Sequence, residues 1–187
     1  MRVIAGSFGG RRLRTVAGRK TRPTAGRVRE ALFSRLMNRY EMGGVDILDL
    51  YAGTGALGIE ALSRGAARLL SVEQDRRACQ VIRGNLSACG LESRAEVWQR
   101  DVARALAEIA GSDRRFGGVF LDPPYRKGMA AAALAGLEKH SIVAEGGWIS
   151  VEVAPSDDLP TAEGRLVCLG EDLYGDTKLA LYERQGV

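Results

Sequence analysis

The sequence predicts an α/β fold: one mainly parallel sheet covered on both faces by helices, preceded by a small basic hairpin and helix. Three observations predict it. From Val45 onward, short apolar runs alternate with helix-patterned segments, as parallel strands joined by crossover helices do. The apolar run from Ile47 to Leu50 enters a glycine-rich turn, Tyr51-Ala52-Gly53-Thr54-Gly55-Ala56-Leu57-Gly58, and a helix-like pattern leaves it. Acids recur where strands end, at Asp49, Glu73, Asp101 and Asp122. Open parallel sheets bind ligands beyond those carboxyl ends.

The chain has 187 residues, enough for one α/β domain with a small addition and a sizeable core. Its 45% hydrophobic and 27% charged residues are ordinary for a globular protein. No apolar stretch approaches the ~18 residues of a membrane span, and the start lacks the apolar segment of a signal peptide. We therefore expect a cytoplasmic protein. Cys79, Cys89 and Cys168 are too scattered for a C-x-x-C site and read as free thiols. With His140 as the single histidine, no zinc cluster is expected. His140 is expected to end a helix near the surface.

Charge is unevenly divided. The first forty residues hold eleven Lys or Arg against one acid, Glu30; with +4 for the whole chain, the remainder carries −6. A basic arm on an acidic body points to a polyanion, with nucleic acid foremost. We divide the chain into a basic appendage, residues 1–43, and a catalytic domain, residues 44–187.

In order, Val3–Gly6 reads as a short strand, and Gly9-Gly10 turns it into Arg11-Arg12-Leu13-Arg14, a small basic hairpin. Gly18 to Arg22 reads as an exposed loop. Pro23 and Thr24 introduce a helix with Val28, Ala31, Leu32, Leu36 and Met37 on one face. Arg27, Arg29 and Arg35 fall outside that stripe and are expected to face a ligand. Strands are then predicted at Val45–Leu50, Arg68–Val72, Ala95–Gln99, Gly118–Leu121 and Trp148–Val153. Helices alternate with them at Ala56–Ser63, Arg76–Ala88, Val102–Ala110 and Met129–Lys139. After Pro155 the pattern becomes strand, turn, strand. Arg165–Leu169 and Lys178–Glu183 flank a connection at Asp172–Asp176.

The glycine turn alone, G-x-G-x-x-G, suits a dinucleotide as well as any other nucleoside ligand. Its backbone can pass close to a ligand. Asp49 can take a ligand ammonium, Glu73 can accept from two ribose hydroxyls, and Asp101, beside Val102, can accept from an adenine amine. Asp122-Pro123-Pro124-Tyr125 narrows the choice. A nucleobase amine is a poor nucleophile because its lone pair is delocalised into the ring. Activating it takes acceptors for both N–H bonds, which the Asp122 carboxylate and the Pro123 carbonyl can supply. The double proline fixes the backbone, and Tyr125 can stack on the base and orient it for in-line attack on a methyl group.

These residues resemble the class I S-adenosylmethionine-dependent methyltransferases of the amino type, whose catalytic motif is [N/D/S]-P-P-[Y/F]. More closely, the chain resembles the RsmD-type ribosomal RNA (guanine-N2) methyltransferases. The likeness runs through Arg2-Val3-Ile4-Ala5-Gly6, Gly10-Arg11-Arg12-Leu13, Arg22-Pro23-Thr24, Arg27-Val28-Arg29-Glu30-Ala31-Leu32-Phe33, the stretch from Leu48 to Ala66, and Tyr174-Gly175-Asp176-Thr177. Tyr51 and Thr54 stand where that family often has Phe and Ser. The resemblance implies a Rossmann-like, seven-stranded sheet with its last strand antiparallel. It also implies S-adenosylmethionine as cofactor; separately, we expect a monomer without metal. The cofactor would be held by Asp49, Tyr51, Ala52, Gly53, Thr54, Gly55, Gly58, Glu73, Gln74, Asp101 and Val102. The implied substrate is guanine N2 at position 966 of 16S rRNA, on an assembling 30S subunit. Arg11, Arg12, Arg22, Thr24, Arg27 and Arg29 would grip its phosphates. Rival readings are a DNA amino-methyltransferase acting on adenine N6 or cytosine N4, a nicotinamide-dependent dehydrogenase, and a non-catalytic RNA-binding assembly factor.

Overall fold

The computed structural model describes residues 1–16, 24–124 and 128–186. After an N-terminal segment come α1 (Thr24–Met37), β1 (Asp46–Leu50), α2 (Ala56–Ser63), β2 (Arg68–Glu73), α3 (Arg76–Cys89) and β3 (Ala95–Gln99). They are followed by α4 (Val102–Ala110), β4 (Phe116–Leu121), α5 (Met129–Lys139), β5 (Val143–Val153), β6 (Ala162–Glu163), β7 (Leu166–Tyr174) and β8 (Thr177–Arg184). The strands form one eight-stranded sheet in the order β3-β2-β1-β4-β5-β8-β7-β6. β1 to β5 are parallel, and β8 runs antiparallel between β5 and β7. The expected fold class is the one observed. The count is eight rather than seven because a two-residue strand, β6, adds to the edge through two pairings with β7.

Alternation along the strands sends side chains to two cores. Leu48, Leu50, Leu70, Val72, Val119 and Leu121 pack with α4 and α5 on one face. Ile47, Leu69, Phe120 and Trp148 pack with α1, α2 and α3 on the other. Both faces being covered, the inner strands are apolar nearly throughout. Burying one such side chain is worth about 1.5–3 kcal/mol. Phe120 anchors the second core, with ring centroids 5.5 Å from Phe33 and 5.1 Å from Trp148. Val3, Leu13, Val28, Leu32, Phe33 and Leu36 belong to the same core, so residues ahead of β1 pack directly on the sheet.

Several boundaries differ from expectation for local reasons. Between Val3 and Arg11 the hairpin is held by backbone hydrogen bonds and a single bridge, Arg2 to Arg12, with a 3₁₀ turn at Gly6–Phe8 between them. β5 starts at Val143, ahead of Trp148, because its pairing with β4 shifts register between Phe116 and Gly118. β7 and β8 zip up to the pair Tyr174–Thr177, leaving a two-residue turn at Gly175-Asp176 in place of the longer connection. Gly175 has φ 62, which hairpin turns of this length use. The expected loop at Gly18–Arg22, and Pro23, lie outside the described residues.

Candidate cofactor crevice and nucleic-acid face

The strand order reverses between β1 and β4, since the chain leaves β1 towards β2 and β3 and returns to β4 on the other side. Leu50 pairs with both Val72 and Leu121. The residues after β1, β2 and β4 therefore emerge side by side, at the place where open sheets bind ligands.

The turn after β1 is tightly wound. Tyr51 has φ 60, Gly53 φ 58 and Gly55 φ 74. For a tyrosine this left-handed conformation costs ~1–3 kcal/mol and recurs at functional sites. It is held by Ala52 N–H donating to the Val72 carbonyl at 3.0 Å and Gly55 N–H donating to the Ala52 carbonyl at 2.7 Å. A Cβ on Gly53 would meet nothing nearer than the Tyr51 carbonyl oxygen at 3.9 Å, so the backbone there is open to a ligand.

Glu73, 6% exposed, ends β2. Its Oε2 accepts the Gly53 N–H and its Oε1 the Asp75 N–H, each at 2.9 Å. It thus shapes the glycine turn as well as facing the crevice. Asp101 caps α4, accepting the Arg104 N–H at 3.0 Å, with the Arg104 guanidinium 3.4 Å away. Tyr51, Glu73, Gln74, Asp101 and Val102 all line one cavity of about 590 Å³. Its opposite wall includes Met129, Ala132, Ala133, Gly136 and His140. Those residues were missed as site residues. The alanine-rich stretch reads from sequence only as a packing helix, yet its small side chains leave this space open.

Two expected cofactor contacts turn out to serve beneath the turn. Asp49 is 1% exposed, and its Oδ2 accepts the Gly58 N–H at 3.1 Å. Burial pushes its carboxyl up to about 7; the Gly58 hydrogen bond opposes the rise and the Glu73 charge adds to it. Gly58 is itself buried, and a Cβ there would stand 2.6 Å from Leu69 Cδ1. Its lack of a side chain allows α2 to close on β2 and presents no ligand surface. Ala52, Gly53, Thr54 and Gly55 belong to the turn but do not line the cavity.

Asp122 follows β4, its N–H 3.5 Å from the Leu50 carbonyl oxygen, which sets it beside Tyr51. Pro123 is buried and Pro124 exposed. Tyr125 lies outside the described residues.

The basic arm divides. Arg11 and Arg12 are exposed, Arg11 donating to the Ala88 carbonyl at the end of α3, and Arg27 is exposed on α1. Arg29 is instead 7% exposed, hydrogen-bonded to the Arg2 carbonyl and 4.0 Å from Glu60. The expectation that it faces a ligand is corrected: it turns inward to the one fully buried acid on α2. Desolvation lowers its pKa, partly offset by Glu60. Arg35, half-buried, pairs with Asp172 and the Gly170 carbonyl on β7, so its charge is partnered within the chain. Arg22 lies outside the described residues, as does the side chain of Thr24.

Glu60, which no sequence motif flagged as a site, holds the arm down. Its carboxylate accepts the Ile4 N–H at 2.7 Å, the Ala5 N–H at 3.0 Å and Arg64 Nε at 2.8 Å. The three cysteines are free. Among the described residues no group of His, Cys, Asp and Glu could hold a metal, and no helix is long and apolar enough to cross a membrane.

Comparisons agree with this geometry. The family model described as "Conserved hypothetical protein 95" matches residues 1–183. YlbH of Bacillus subtilis is 41% identical over 186 residues, all of both chains. Ribosomal RNA small subunit methyltransferase D of Escherichia coli is 33% identical over 185 residues, 99% of this chain and 90% of that protein. The solved structure of Escherichia coli yhhF superposes with a TM-score of 0.85 at 31% identity, covering 99% and 98% of the two chains. A crevice at the reversal of a mostly parallel sheet, an open glycine turn and a near full-length match are one consistent set: the chain belongs to the conserved hypothetical protein 95 family, the RsmD family that its sequence resembles.

Proposed function

We propose that this chain methylates the exocyclic N2 amine of a guanine in 16S rRNA, at position 966 by family likeness, with S-adenosylmethionine as donor. The substrate is an assembling 30S subunit, met in the cytoplasm by a monomeric enzyme. The observation that carries this reading is the placement of Asp122-Pro123 beside Tyr51, at the strand reversal and next to an open glycine turn.

The residues present fit that cofactor. Gly53 offers unobstructed backbone, and the adjoining cavity of about 590 Å³ has Glu73 and Asp101 on its rim and an apolar helix opposite. Glu73 would take the ribose hydroxyls, Asp101 and Val102 the adenine, and Asp49 would stabilise the ammonium end from beneath the turn. Bound there, S-adenosylmethionine supplies an electrophilic methyl group. The chain's own part is to raise the nucleophilicity of the amine. Asp122 and the Pro123 carbonyl accept its two N–H bonds, so that positive charge developing on nitrogen is met by fixed acceptors and not by water. The buried Pro123 and its neighbour Pro124 hold the backbone that aims the carbonyl. Tyr125 would stack on the base. Exposed Arg11, Arg12 and Arg27, with Arg22 and Thr24, position the RNA through its phosphates.

Tritiated methyl transfer tests this directly, with naked 16S rRNA, undermodified 30S particles and duplex DNA offered in parallel. Label in guanine N2 of the particles is expected. Label confined to adenine N6 or cytosine N4 of the DNA would move the enzyme to another substrate class. Cofactor binding without label on any substrate would favour the assembly-factor reading.

A further inference from the structure

Asn85 lies on α3, is 1% exposed, and has no part in the site described above. Its side chain joins two segments distant in sequence. Oδ1 accepts the Arg14 N–H at 2.7 Å, and Nδ2 donates to the Arg14 carbonyl at 3.1 Å and to the Thr54 carbonyl at 3.0 Å. Arg14 belongs to the basic arm. Thr54 sits in the glycine turn, between Gly53 at φ 58 and Gly55 at φ 74. A primary amide is what this junction needs, because it presents an acceptor and two donors in one plane. A carboxylate has no donor and an aliphatic side chain has neither. Out of water, such a fully satisfied amide specifies one arrangement of its partners.

The arm is seated along the same helix. Arg11 donates to the Ala88 carbonyl, one turn beyond Asn85, while Leu13 and Val16 are buried on either side of Arg14. The glycine turn is open to ligand at Gly53, next to the carbonyl that Asn85 holds. Displacing either segment therefore disturbs the hydrogen bonds of the other.

The geometry points to Asn85 as a positioning residue that couples the RNA-contacting arm to the cofactor-binding turn. This rests on the proposed function. Ordering of the turn by cofactor fixes the Thr54 carbonyl, hence the Asn85 amide, hence Arg14 and the exposed Arg11 and Arg12 that precede it. Cofactor and RNA then each raise the other's affinity, by the same factor in both directions.

The test is the affinity of the protein for undermodified 30S particles with and without saturating S-adenosylhomocysteine. The wild-type chain is expected to bind at least ~5-fold more tightly with it, at the low end of allosteric couplings. Asn85→Ala is expected to bring that ratio to about one. Asn85→Asp guards against misfolding: it is isosteric and keeps the acceptor for the Arg14 N–H, but loses both donors. It should also reduce the ratio to about one while still melting cooperatively and binding S-adenosylhomocysteine. Hydrogen exchange gives a readout free of RNA: the nucleoside should slow exchange of the Arg14 amide in the wild type and not in Asn85→Asp. A purely structural clamp would lower the melting temperature of the variants and leave the ratio at its wild-type value, which overturns the coupling. A wild-type ratio of one does the same. Wild-type protein that binds neither S-adenosylhomocysteine nor particles would instead overturn the proposed function, and the coupling with it.

Discussion

At the scale of single residues, Asp49 and Asp122 carry different proposed roles. Asp49 carries a buried carboxyl raised to about 7. An unfolded aspartate titrates near 3.9, so the native state binds the extra proton between those values. Stability therefore falls as pH rises from about 4 to about 7 and is level above that. Asp49→Asn removes the buried charge and keeps an oxygen for the Gly58 N–H. It is expected to raise the melting temperature at about pH 8, by ~2–4 °C for each kcal/mol of relieved desolvation. The gain should shrink towards about pH 4, where both states hold the proton. The same change should weaken S-adenosylhomocysteine binding, and calorimetry alongside the melts checks both. Asp122→Ala, by contrast, should abolish methyl transfer and leave cofactor affinity within about twofold, because the role proposed for its carboxylate is toward the base amine. A transfer assay with a separate binding isotherm distinguishes the two; wild-type turnover would remove Asp122 from the chemistry.

Among elements, β4 and α2 set the tolerances. Gly118 on β4 faces Trp148, and a Cβ there would stand 2.3 Å from Trp148 Cζ2 and 2.8 Å from Ile47 Cδ1. Gly118→Ala is expected to destabilise by about 1–3 kcal/mol through overpacking, read as a lower urea midpoint. On α2, Glu60 is fully buried and answers two arm amides and two arginines. Glu60→Ala leaves Arg29 and Arg64 without their buried partner and should cost about 3–5 kcal/mol. Faster hydrogen exchange at Ile4 and Ala5 would locate the loss at the arm. The element boundaries show where sequence patterns suffice. α2, β3, α4 and α5 fall on the expected residues, because their apolar periods are regular and end at capping or glycine signals. β5 and the β7–β8 turn were misjudged, since a register shift and the zipping of a hairpin depend on the partner strand.

For the molecule as a whole, the basic arm is built onto the sheet. The arm holds most of the positive surplus, and Glu60 and the apolar residues Val3 and Leu13 fasten it to the sheet. Reversing the charge of exposed Arg11 and Arg12 should weaken RNA binding at every sequence. It should also flatten the dependence of log affinity on log salt by roughly one unit for each lost phosphate contact. An unchanged slope would remove these two residues from the interface.

The sequence by itself determined the fold class, the strand-to-helix alternation, the glycine turn and the Asp122-Pro123-Pro124 motif. Each is a local pattern, legible because it depends on periodicity or on backbone limits at a few adjacent residues. Only the tertiary structure decided which of those residues are exposed and which are buried. Arg27 and Arg29 are two positions apart on α1, yet one is exposed and the other buried against Glu60. Asp49 ends up beneath its turn and Glu73 on the crevice. Exposure and partnership come from what the sheet places opposite each face, from segments far away in the chain, and no local pattern contains that information.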